Sequence, residues 1–68
     1  MEPVDPIEDA EEARNELRDA LTEAGVLLPS LGLDVVSLGS HYLPPLVDLG
    51  RCHPREARKL ASALRSRA

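Results

Sequence analysis

The sequence predicts a small α+β domain of order helix, strand, strand, helix, with two amphipathic helices on an antiparallel hairpin. Three observations carry this expectation. Apolar residues recur at helical spacing toward both ends of the chain. Between them, Pro29, Gly32, Gly39, Pro44 and Pro45 interrupt the apolar residues too often for a long helix. Finally, a chain of 68 residues has room for one modest core, burying only about 60% of its unfolded surface, so residues 1–68 are read as a single domain.

The elements follow in order. Residues 1–5 are expected to form a flexible N-terminus, and residues 6–24 an acidic helix. Asp5-Pro6-Ile7-Glu8 reads as its start, because Asp5 can accept from backbone N–H groups, Pro6 suits the first helical position and Glu8 is placed to close a capping box. Gly25 is the stop. Ala10, Ala13, Leu17, Ala20, Leu21 and Ala24 fall on one stripe about 100° wide, opposite Glu8, Glu12, Glu16, Asp19 and Glu23. Glu11 and Arg14, three apart, are expected to form a minor surface pair.

Residues 26–50 read as loops and short strands. Leu33-Asp34-Val35-Val36-Ser37 and Leu46-Val47-Asp48-Leu49 are the strand candidates, rich in β-branched residues or leucine and bounded by Gly, Pro and Ser. The connection from Leu38 to Pro45 is long for a tight turn, which makes the hairpin a loose one. Residues 54–67 then read as a basic helix. Pro54 takes its first position, and His53 stands where Asn, Asp or Ser would be the usual cap. Ala57, Leu60, Ala61 and Leu64 make its apolar stripe, with Arg55, Arg58, Lys59 and Arg65 on the far side.

Composition narrows the function. With one aromatic residue, Tyr42, and neither Phe nor Trp, the core must come from Leu, Val and Ala. The lone Cys52 excludes an intrachain disulfide, and small domains without that staple draw stability from metals, oligomers or partners. A homodimer is therefore expected, with Leu17, Leu21, Leu60 and Leu64 as helix anchors and Val35, Val36, Leu46 and Leu49 as the sheet contribution. The formal charge of −4 conceals a polarity: residues 1–24 carry nine acids and two bases, while residues 51–68 carry six bases and one acid. The two ends are electrostatic complements. No apolar run reaches membrane-spanning length and the first residues are acidic, so no membrane partner is expected and the protein is read as cytoplasmic.

No pattern of catalytic residues emerges, and the protein is expected not to be an enzyme and to need no cofactor. Glycine-rich phosphate loops and nucleophile elbows are absent from the sequence. Cys52 lies beside Arg51 and His53 before a helix start, where positive charge and the helix dipole favour thiolate, yet a small, half-buried structural cysteine is the simpler reading. Cys52, His53, His41 and Asp48 lack metal-ligand spacing. Tyr42 is expected to serve the core with its hydroxyl at the surface.

The stretch Leu28-Pro29-Ser30-Leu31 followed by Asp34, then Leu46-Val47-Asp48-Leu49-Gly50-Arg51-Cys52 running into Ala57-Arg58-Lys59-Leu60-Ala61, resembles a group of short actinobacterial proteins without a known activity. The resemblance covers about residues 12 to 65. In that group an Asn commonly fills the place of His53. The resemblance implies a streptomycete-like source and a genetic setting beside helix-turn-helix regulators. It assigns no catalytic or binding residue.

These readings converge on a non-enzymatic regulatory or adaptor protein acting by protein–protein contact, with a transcription regulator as one candidate partner. Glu12, Glu16, Asp19 and Glu23 on the acidic helix and Arg55, Arg58, Lys59 and Arg65 on the basic helix are the candidate partner-binding residues. The alternative is a small DNA-binding protein whose basic helix meets phosphates. Against it stand the acidic total and the lack of aromatic residues for stacking.

Overall fold

A computed structural model describes residues 5–66 of the chain. The elements are α1 (Pro6–Ala24), β1 (Gly32–Leu33), α2 (Val35–Leu38), β2 (Val47–Asp48) and α3 (Pro54–Arg65). The α+β class is as expected, with a two-stranded antiparallel sheet in register Gly32↔Asp48 and Leu33↔Val47. Residues 1–4 of the expected flexible N-terminus, and position 67 of the expected basic helix, lie outside the described residues.

The ends of α1 follow from local chemistry. The Asp5 carboxylate accepts the Ile7 N–H at 2.8 Å, and Pro6 begins the helix with its φ preset. At the other end Gly25 adopts φ 73°, and its N–H reaches the Thr22 carbonyl while Val26 N–H reaches that of Leu21 at 2.9 Å. This pair of bonds is a Schellman termination. It brings Val26 back onto Leu21, and both are buried.

Helix α1 is the hub, packing on both strands and on α3. Its inward row is Ala10, Arg14, Leu17 and Leu21, whereas Ala13, Ala20 and Ala24 are exposed. The expected stripe is thus rotated. Leu17 and Leu21 have far more surface to remove from water than any alanine, so they set the direction. Arg14 lies on the same row, its methylene stem tolerating partial burial. This placement also replaces the expected Glu11–Arg14 pair: Arg14 Nε donates to Asn15 Oδ1 at 3.2 Å.

The middle of the chain departs from the expected strands. Asp34 does not continue β1. Its extended backbone (φ −72°, ψ 113°) and its carboxylate, which accepts Ser37 N–H at 3.3 Å, start the short helix α2 instead. Val35 and Val36 therefore leave the sheet and are 78% and 73% exposed. An Asp with a free N–H three residues on offers the backbone a helical cap, and that alternative outweighs the β-branched preference of two valines. Leu46 and Leu49 flank the two residues of β2 and are likewise exposed. Beyond β2, Asp48 Oδ1 accepts Gly50 N–H at 2.8 Å. Gly50 has φ 74°, and a Cβ there would sit 2.7 Å from Ser30 Cβ, so both conformation and space call for glycine.

Helix α3 begins at Pro54 after His53, which makes no side-chain cap bond. Glu56, Leu60, Ala61 and Ala63 are half-buried, while Ala57 and Leu64 of the expected stripe are exposed. The buried apolar residues among those described are Ala10, Leu21 and Val26. The radius of gyration is 13.9 Å, against about 11 Å for a compact chain of this length.

Candidate protein-interaction surface

A lobe runs from Asp34 to Leu46 and is closed by hydrogen bonds at its neck. Asp34 N–H donates to the Leu46 carbonyl at 2.8 Å. Ser37, only 1% exposed, donates its hydroxyl to the Asp34 carbonyl at 2.7 Å and accepts Leu46 N–H at 2.9 Å. Farther out, Ser40 Oγ accepts the N–H groups of Tyr42 and Leu43 at 3.0 and 2.9 Å. Two serines thereby hold in place a segment with little regular structure.

The lobe turns its apolar side chains outward. Tyr42 is 95% exposed, and Val35, Val36, Leu38, Leu43 and Leu46 are also exposed. The core role expected for Tyr42 is corrected: it lies on the turn held by Ser40 with its side chain in solvent. No Asp, Glu, Lys or Arg stands between Asp34 and Asp48. This contiguous run was visible in the sequence only as an absence of charge. Its outward orientation depends on Ser37, whose burial no sequence period announces.

The two charged helices behave differently from a self-neutralising pair. Glu12, Glu16, Asp19 and Glu23 are exposed on α1, and Arg55, Arg58, Lys59 and Arg65 on α3. Among the described residues the ion pairs are Arg18–Asp19 at 4.0 Å and Lys59–Glu56 at 3.3 Å. Each is local to its own helix, so neither joins the acidic row to the basic one. Of the expected anchors, Leu21 is buried, Leu17 and Leu60 are half-buried and Leu64 is exposed.

Glu56 ties α3 to the end of α1. Its Oε1 accepts Leu27 N–H at 2.8 Å, and Lys59 Nζ lies 3.3 Å from Oε2 and 3.5 Å from the Gly25 carbonyl. The Leu27 N–H, with the Lys59 ammonium behind it, holds the carboxyl below its ordinary 4.5 against an opposing push from burial. The folded state therefore stays ionised where the unfolded chain takes up a proton. Stability from this group is complete above pH 4.5 and is lost as pH falls through the depressed folded value. Glu56→Gln should flatten that acid limb and lower the melting temperature at pH 7, as read by circular dichroism across a pH series.

Small cavities carry little chemistry. One of about 210 Å³ is lined by Pro29, Arg51, Cys52 and His53, and Cys52 is exposed rather than half-buried because the 51–53 segment runs over the surface. A groove of about 320 Å³ runs between the C-terminal half of α1 and residues 26–31. Among the described residues, no three His, Cys, Asp or Glu side chains are grouped to hold a metal, and no helix is long and apolar enough to cross a membrane. No protein-family model matches the chain, and no curated protein or solved structure is significantly similar to it.

Proposed function

We propose that this protein is a non-enzymatic adaptor or regulator that binds another protein through the Asp34–Leu46 lobe and works as a homodimer in a bacterial cytoplasm. The lobe carries this reading: a tethered segment with exposed Tyr42 and with no Asp, Glu, Lys or Arg beyond the Asp34 at its neck. Aromatic and aliphatic anchors with charge held outside them are the composition of a protein-binding centre. A nucleic-acid surface would put Lys or Arg there instead. The acidic row Glu12, Glu16, Asp19 and Glu23 can add steering toward a basic partner, such as a transcription regulator. An exposed, unpaired thiol at Cys52 suits a reducing compartment.

The test is affinity purification at native abundance with the native chain and a Val35→Ser, Tyr42→Ser variant whose circular dichroism matches it. A protein partner retained by the first and lost from the second is the expected result. Recovery of no protein, together with tight DNA binding by the pure chain at moderate salt, would replace this reading with the basic-helix alternative.

A further inference from the structure

The molecule has more surface than its mass requires. Its accessible area is 5721 Å² for 7.4 kDa, whereas a folded monomer of that mass exposes about 4,200 Å². Apolar surface is open on the outer flank of α3. Leu64 is 60% exposed there beside exposed Ala57.

Around each long helix the same succession recurs, in opposite rotational sense on the two. On α3 the row facing the chain's own core (Glu56, Leu60, Ala63) is followed by the apolar strip Ala57, Ala61 and Leu64, and then by Arg58 and Arg65 at about 100° per residue. On α1 the inward row is followed by Ala13, Ala20 and Ala24, and then by Glu16 and Glu23. Each helix thus offers an apolar strip bordered on its outer side by charge, and the charges are opposite. Within the chain no ion pair among the described residues uses this complementarity.

We infer that a second copy of this chain covers the α3 flank: the apolar strip beside Leu64 lies on the alanine flank of α1 from the other copy, with Arg58 and Arg65 facing its Glu16 and Glu23. Applied around a twofold axis the contact is made twice. The alanines let the helix backbones approach closely, so that Leu64 is covered. The charges contribute register and partner choice more than affinity, as exposed ion pairs do. This inference rests on the homodimer in the function proposed above; it takes Glu16 and Glu23 for the self-contact and leaves the lobe, with Glu12 and Asp19 of the acidic row, free for a different protein.

Sedimentation of the full chain tests it. The native chain should pass from monomer toward twice 7.4 kDa with concentration, and less readily at high salt. Arg58→Glu with Arg65→Glu, or Glu16→Arg with Glu23→Arg, should each weaken self-association at least about tenfold, because like charges then face each other. Mixing the two variants should restore pairing, since both contacts become complementary again. A native chain that stays monomeric at every concentration overturns the inference, as does an equal mixture that pairs no better than its components. The Val35→Ser, Tyr42→Ser variant should pair like the native chain. If it alone loses pairing, the lobe and not α3 is the self-contact. Partner capture that survives in the charge-reversed variants would leave the lobe reading standing whatever sedimentation shows.

Discussion

Leu21→Ala is expected to remove about 2–5 kcal/mol of stability, the usual cost of emptying a buried leucine site. Leu21 is 4% exposed and lies on the inward row of α1. It also receives Val26, which the Gly25 termination folds back onto it, so the substitution weakens the end of the helix together with the core. A chain of 68 residues has a total stability of only about 3–10 kcal/mol. Urea denaturation should accordingly show a midpoint far below the native one, with the slope unchanged. Val36→Ala on the exposed lobe is the contrast, with a change within about 0.5 kcal/mol. A Leu21→Ala protein with the native midpoint would show that the core lies elsewhere.

Ser37→Ala should cost about 1–3 kcal/mol, because the Leu46 N–H would lose the acceptor that the buried Ser37 hydroxyl supplies. With a melting shift of about 4–8 °C per kcal/mol for a domain of this size, the effect is readily measured. Its distribution matters as much as its size. Hydrogen exchange should accelerate at Leu46 and along the lobe, while the amides in the middle of α1 keep most of their protection. Uniform acceleration through the whole chain would instead make Ser37 part of the global core.

The long helices were the most legible part of the sequence. Asp5, Pro6 and Gly25 mark the ends of α1 by chemistry confined to a few neighbouring residues, and Pro54 marks the start of α3 in the same way. Which side of each helix faces inward was harder to read. Alanines count equally in a periodic stripe but differ little in burial energy, so Leu17 and Leu21 decided the rotation of α1. For α3 the decision came from Glu56, a charged residue turned inward by a bond to Leu27, and apolar periodicity cannot register that.

The middle was misread for a related reason. Leu33 to Ser37 has strand composition, but Asp34 and Ser37 are spaced to cap a helical turn, and the hydrogen bond closing that turn determines where both valines go. The candidate surface was legible only as a run without charge between Asp34 and Asp48. That Tyr42 points outward depends on Ser40 accepting two backbone N–H groups, a local bond with no signature in hydropathy.

The bond from Leu27 to Glu56 joins positions 29 apart and, with the Lys59 bond to the Gly25 carbonyl, clasps α3 to the residues just after the hub helix. Its acceptor is a carboxylate, so the clasp has a chemical release. Acidification should loosen the clasp at this bond, so protection of the Leu27 N–H from hydrogen exchange should fall as Glu56 takes up its proton, while the amides in the middle of α1 keep theirs.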